Sequence, residues 1–332
     1  MKAIDFVIAS AGVQHVSRYA VESLENALRG IGMRGRRTPM TGTTVRRVIR
    51  YLSRAGIARA YLQVSQKAIL VPMMGLQEHF LFPWAHYMEV VPVIFDCMPN
   101  EFADWVRLFK QNRVRTAFFT ASQAAEHFKV ALPGGNWLWL PEAIEIEQYA
   151  GAVPWEQRET DVLEFGRRYG KYHETIVKGL ADSALRHDFE RVRGQLLFPG
   201  KPEFVHGLAH SKISVCFPQS MTHPERFGDI ETMTQRYLES MASGCVLVGH
   251  APAELANLFG YNPVVDVDWA QPVEQLQRII SHPEAHAAMR KRNIESVMNL
   301  GSWNGRAHEV VEQLRDHGFG VPQLNPVVAV AR

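Results

Sequence analysis

A chain of 332 residues that is 46% hydrophobic and 21% charged is long enough for two medium domains and too apolar for disorder. Its three cysteines, Cys97, Cys216 and Cys245, are few and odd in number, which argues for free thiols in a reducing compartment and against a disulfide framework. Net charge is only +2, but between Glu25 and Glu78 there is no acid, while Arg29, Arg34, Arg36, Arg37, Arg46, Arg47, Arg50, Arg54, Arg59 and Lys67 are all basic.

The opening MKAIDFVIASAG has an apolar run interrupted by Asp5, too short for a signal-peptide core or a membrane span. A cytoplasmic location is expected. IDFVIAS reads as a strand, AGVQ as a turn, and SRYAVESLENALRGIG as a helix with Tyr19, Leu24 and Leu28 at helical spacing, closed by Gly30 and Gly32. In TTVRRVIRYLSRAGIARAYL the apolar Val45, Val48, Ile49 and Leu52 recur at helical spacing with arginines on the other face. This basic segment, 29–59, is expected either to be a solvated helix face, or to meet an acidic acceptor or an anionic membrane, the last placing the protein peripherally at the inner face of the membrane. Further strands are predicted at AYLQVS, KAILVPM, VVPVIFD and RTAFFTAS, with helices such as EFADWVRLFKQN between them.

The stretch 140–161, with two prolines and a group of acids, breaks this rhythm and marks a crossing between domains. A second cycle follows in DVLEFGRRYGKYHETIVKGLADSAL and continues through QLLFPG, ISVCFPQ, CVLVGH and PVVDVD. The expected architecture is α/β, with two doubly wound Rossmann-like domains facing a central cleft: 1–150, 151–310, and a C-terminal helix and tail, 311–332, packing back on the first domain. Open parallel sheets bind ligands beyond the carboxyl ends of their strands, which places the site in the cleft.

Two groups of residues point to a nucleotide ligand. After the strand ending at Phe165 come Gly166, Arg167, Arg168, Gly170 and Lys171, where glycines permit close approach and cations suit a diphosphate. In RYLESMASGCVLVG, residues 236–249, a helix that starts near Thr234, Gln235 and Arg236 runs to Ser243 and stops at Gly244. Glu231 and Glu239 are eight residues apart, a little over two helical turns, so they are expected to project from a similar side. An ionised acid there suits sugar or ribose hydroxyls, because it accepts two or more hydrogen bonds. The alternative is a surface ion pair between Arg236 and Glu239.

RYLESMASGCVLVGHAPAEL resembles the nucleotide-sugar signature of the GT-B glycosyltransferases, family 4 or a close relative. Glu231 and Glu239 match the spacing of its two glutamates, and ESMASG matches its ending. SAGVQHVSRYAVESLENAL resembles the first glycine loop, and FGRRYGKYHE the diphosphate loop, so the resemblance runs from about residue 4 to 315. The look of the family's first-glutamate motif falls instead at Glu225 to Gly228, while the spacing falls at Glu231.

The resemblance implies transfer of a sugar from a UDP- or GDP-linked donor to a glycan or lipid-linked acceptor, with retention of configuration and no required metal. The donor would lie in the C-terminal half. Glu239 would take ribose hydroxyls, with Arg236, Gln235, Thr234, Gly166 and Gly12 beside it. Arg167 and Lys171 would neutralise the leaving diphosphate, and Glu231 or Glu225 would contact the donor sugar. On the acceptor side stand Gln14, His15 and Asp96, of which His15 also reads as a structural histidine and Asp96 as a helix cap.

The pair Asp266 and Asp268 matches a D-x-D metal pattern but comes late in the chain, and His206, His210, His223 and His250 lack ligand spacing, so all are read as non-metal. Two rivals use the same segments. A nucleotide-sugar epimerase would need carboxylates in the first half, where Asp96, Glu101 and Asp104 are the candidates. A transferase acting on modified DNA bases, or a nucleic-acid binder, would use the arginines, although the aromatic interleaving expected for single strands is missing.

Overall fold

The computed structural model describes residues 2–9, 19–39, 42–57, 65–149, 151, 153–192 and 194–324. The expected loop residues Gly12, Gln14 and His15, Arg59, and most of the expected strand AYLQVS lie outside them. The chain forms two compact units. One comprises Met1–Glu142, Arg226–Ile230 and Trp303–Arg332; the other comprises Ala143–Glu225 and Glu231–Ser302.

The first unit is built on a parallel sheet of β1 (Lys2–Ala9), β2 (Gly35–Thr38), β3 (Lys67–Met74), β4 (Glu89–Phe95), β5 (Thr116–Phe119), β6 (Asn136–Trp139) and β12 (Phe319–Gly320). The order is β12-β1-β3-β4-β5-β6, and β2 pairs with the end of β1 through Phe6 to Ala9. The central strands KAILVPMM and EVVPVIF are nearly continuous apolar runs, as a sheet covered on both faces requires. On one face Phe109, Phe119, Phe128 and Trp137 stack, with centroids 4.8 Å apart for Phe119 and Phe128 and 5.2 Å for Phe109 and Trp137.

Buried carboxylates pin the helices of this unit. Glu25 takes Arg29 and Arg37 at 2.9 and 2.8 Å, and Glu78 takes Arg107 at 2.6 Å. Arg107 also reaches Ser53 Oγ at 3.0 Å, which ties down the helix Thr43–Arg54. That helix is turned differently from its expected packing. Ile49 and Ser53 are its buried residues, whereas Val45 and Val48 are about half exposed and Tyr51 more so. The polar clamp on Ser53, rather than the valines, decides which side faces inward.

The second unit holds a parallel sheet of β7 (Thr160–Glu164), β8 (His187–Phe189), β9 (Ser211–Cys216), β10 (Val246–Gly249) and β11 (Val265–Asp266), in the order β11-β10-β9-β7-β8. The expected strand QLLFPG is irregular. Its Leu197 and Phe198 pack with Phe204 of the helix Lys201–Ala209, so the apolar signal belongs to a covering helix. The edge strand β8, three residues of HDF, has no apolar run to reveal it. All three cysteines are free and buried, and burial pushes each thiol up from its usual range. Among the described residues no helix is long and apolar enough to cross a membrane.

The ring cluster of the first unit sets a stability prediction. Phe119→Ala leaves a cavity among three aromatic neighbours and should cost about 3–5 kcal/mol, read as a lowered urea midpoint. An unchanged midpoint would mean that the cluster collapses around the loss.

Candidate functional site

The helix Gln235–Ala242 is tied down at both ends. At its front Thr234 holds the cap position without a side-chain bond, Gln235 Nε2 donates to Ala143 O at 2.7 Å, and the Met233 N–H donates to the buried Glu254 carboxylate. At its rear Gly244 adopts φ +68, and the N–H groups of Gly244 and Cys245 return to Met241 O and Ser240 O at 3.0 and 3.1 Å. A left-handed residue is what this helix ending needs, and glycine takes that conformation without steric cost. Beyond it Arg158 Nη2 donates to Ser243 O at 3.0 Å and Arg290 Nε to Gly244 O at 2.8 Å, cations that offset the negative end of the helix.

Held on this helix, Glu239 is only 8% exposed, and a carboxylate at that depth must be given donors. Tyr149, from the turn Ile146–Tyr149, donates its hydroxyl to Oε1 at 2.7 Å. Lys201, first residue of its helix, donates from Nζ to the same Oε1 at 3.2 Å and to Tyr149 Oη at 2.5 Å. The ammonium also lies 5.0 and 5.3 Å from the ring centroids of Tyr149 and Phe204. Burial and the Glu239 charge drive the Tyr149 phenol far above its ordinary range, so it remains a neutral donor. Among the described residues no donor reaches Glu239 Oε2, and the side chain keeps 11% exposure. One oxygen is therefore structural and the other is open among the described residues.

The loop after β7 meets the same helix. Gly166 adopts φ +65, and a Cβ there would stand 2.7 Å from Arg236 Nη2. Arg236 Nη1 donates to Arg167 O at 2.6 Å, with its guanidinium 5.1 Å from the Phe165 ring centroid. It thus braces the loop and does not pair with Glu239. Arg167 and Lys171 are exposed, the latter in the first turn of the helix Gly170–Leu180 with its ammonium 5.0 Å from the Trp269 ring centroid.

Beneath the loop, Glu164 Oε2 meets His173 Nδ1 at 2.5 Å and His187 Nε2 at 3.0 Å. Burial pushes this carboxyl up, but the hydrogen bonds from the two imidazoles outweigh it and hold it below the usual carboxylate range. The anchor is ionised.

The structure gathers Gly166, Arg167, Arg236, Gln235, Thr234 and Glu239 around one helix and one loop, with Lys171 at the loop's far end. Glu231 does not share the helical face of Glu239, because the helix begins only at Gln235; its Oε1 lies 3.0 Å from His250 Nε2. Glu225 is exposed in the short helix Pro224–Phe227.

In the first unit Asp96 follows β4 at φ 55. It is not a helix cap, since the turn and helix after it are capped at Met98 and Glu101. Left-handed backbone in a residue other than glycine is tolerated best by Asp and Asn and is frequent at binding sites. Asp104 is paired with Arg107 at 3.0 Å. Asp268 accepts the backbone N–H groups of Ala270 and Gln271 and pairs with Arg278, and no cluster of three metal-ligating side chains occurs among the described residues. Tyr149, Lys201, Glu164 and Arg158 carry no motif; only the fold brings them to the helix and loop.

No family model and no curated protein sequence matches the chain. Solved structures do. Anabaena Alr3699/HepE in complex with UDP and glucose superposes with a TM-score of 0.59 at 10% identity, covering 95% of this chain and 100% of that one. Sucrose-phosphate synthase from Thermosynechococcus elongatus gives 0.63 at 13%, covering 95% and 99%. AviGT4, a glycosyltransferase involved in avilamycin A biosynthesis, gives 0.58 at 13%, covering 94% and 97%. The chain has the GT-B fold.

The Glu164 anchor sets a pH prediction. A carboxyl with a folded pKa below its unfolded value adds stability above the unfolded value and loses it as pH falls through the folded one. The stability gap between wild type and Glu164→Gln should therefore be widest near neutrality and close below about pH 4, measured by urea unfolding across that range. A gap that stays constant down to pH 3 would refute the assignment.

Proposed function

We propose that the chain is a glycosyltransferase that moves a sugar from a nucleoside diphosphate sugar, UDP- or GDP-linked, to a glycan or lipid-linked acceptor. The observation that carries this reading is the buried Glu239 carboxylate with one open oxygen, braced through Arg236 to a loop bearing exposed cations. The bound UDP and glucose of a fold neighbour support a nucleotide-sugar donor.

Glu239 Oε2 accepts a ribose hydroxyl. Arg167 and Lys171 lie against the diphosphate and stabilise the negative charge that builds on it as the glycosidic bond breaks; losing one such contact typically costs on the order of 100-fold in rate. Glu231, with His250 behind it, or Glu225 contacts the donor sugar, and Asp96 contacts the acceptor. With cations at the leaving group no metal is required, and the configuration at the transferred carbon is retained.

The helix Thr43–Arg54 supports a membrane-borne acceptor. At about 3.6 residues per turn, Val48, Tyr51 and Ala55 line one flank of its exposed side, and Arg47, Arg50 and Arg54 the other. An apolar flank beside a basic one suits an anionic bilayer surface better than a phosphate backbone, which has no apolar layer to bury Val48 and Tyr51. Sedimentation with phosphatidylglycerol vesicles should carry the protein down, and Val48→Asp with Tyr51→Asp should weaken this at least tenfold. Equal binding by the double variant, or binding to duplex DNA alone, would exclude the bilayer.

The donor site is tested by thermal shift against UDP, GDP, ADP, CMP and dTDP, with and without magnesium. One diphosphate should stabilise the protein, by about 2.7 kcal/mol at a hundredfold excess over Kd, independently of magnesium, and Glu239→Ala should abolish the shift. No shift with any of them would overturn the reading.

A further inference from the structure

Lys201 is placed with more care than a surface lysine needs. Its Nζ spends one N–H on Tyr149 Oη and one on Glu239 Oε1, and two aromatic rings hold it in place. An ammonium has three N–H groups. The third remains, on a side chain that is 32% exposed.

Beside it, Glu239 Oε2 is an acceptor without a donor among the described residues. The two carboxylate oxygens share one carbon, so this open acceptor and the spare N–H are within reach of one pair of neighbouring hydroxyls. The pairing is complementary. Oε2 can only accept, so the hydroxyl facing it must donate; Nζ can only donate, so the hydroxyl facing it must accept. Both groups are fixed before any ligand arrives, Glu239 by its helix and Lys201 by Tyr149 and Phe204, so little ordering cost remains to be met on binding.

We propose that Lys201 is a specificity-determining residue that reads the second hydroxyl of a vicinal diol, making the site select ribonucleotides over deoxyribonucleotides. This rests on the donor-site reading above, in which Glu239 takes the first ribose hydroxyl. A deoxyribose leaves either Oε2 or the Lys201 ammonium facing nothing, and a site that hydrogen-bonds a hydroxyl rejects the analogue lacking it strongly, because its own polar group is then left unpaired. Tyr149 acts one step back: its hydroxyl holds Oε1 and accepts from Lys201, which keeps both groups at their stations.

The test is calorimetric titration of UDP and GDP, each with its 2′-deoxy and 3′-deoxy counterparts, into wild type, Lys201→Met and Lys201→Arg. Wild type should favour the ribonucleotide over both deoxy forms by about tenfold or more. Lys201→Met should weaken the ribonucleotide by a similar factor and erase discrimination against one deoxy form while keeping it against the other. Lys201→Arg, which keeps a donor cation, should restore part of the lost discrimination. A wild type that binds a ribonucleotide but does not discriminate, or a Met variant that keeps both preferences, overturns the role of Lys201 and leaves the donor site standing. Binding of neither UDP nor GDP to wild type overturns both.

Discussion

A carboxylate taken out of water must be met by donors, and much of this molecule is arranged around that requirement. Glu25, Glu78, Glu164, Glu239 and Glu254 are all buried, and their partners differ: two arginines each for Glu25 and Glu78, two imidazoles for Glu164, a phenol with an ammonium for Glu239, and for Glu254 a backbone N–H among others. In the first unit the partners other than Arg29 lie on neighbouring helices and strands, so the carboxylates act as rivets. In the second unit three of them hold the loop after β7, the helix Gln235–Ala242 and the segment leading into it. Their cost in desolvation is offset by geometry, and that geometry places the open groups.

The helix that carries Glu239 shows how local and distant constraints divide the work. Its ending is local: a left-handed glycine and two backbone hydrogen bonds are specified within the sequence SMASGC. Its position is not. Arg158 comes from the start of the second unit and Arg290 from a helix near its end, and both close on carbonyls within two residues of the helix terminus. A helix fixed in this way can present a buried side chain with little freedom of rotation, which is the condition for recognising a ligand by single hydrogen bonds.

What the sequence revealed follows the same division. Long apolar strands such as β3, β4 and β9 were legible from their runs, and Gly244 from its stop signal, because both depend on neighbours in the chain. The short strands β2 and β8 were not, since GRRT and HDF carry no apolar run and exist through pairing alone. The leucine and phenylalanine of QLLFPG misled because an apolar pair looks the same under a helix as in a sheet. The basic helix misled because Ser53, clamped by Arg107 and Gln111, outweighs its valines. Glu239, Arg236 and Gly166 could be singled out from pattern. Tyr149 and Lys201 could not, because an unremarkable tyrosine and lysine fifty-two residues apart meet only after folding.

The inequivalence of the two Glu239 oxygens has a further implication for isosteric replacement. A glutamine at this position would have its amide orientation dictated by its surroundings, for the Tyr149 hydroxyl and the Lys201 ammonium both demand an oxygen where Oε1 now lies. The nitrogen would be forced to the open side. A change of one atom would then invert the polarity of the open side, presenting N–H where the native protein presents a lone pair.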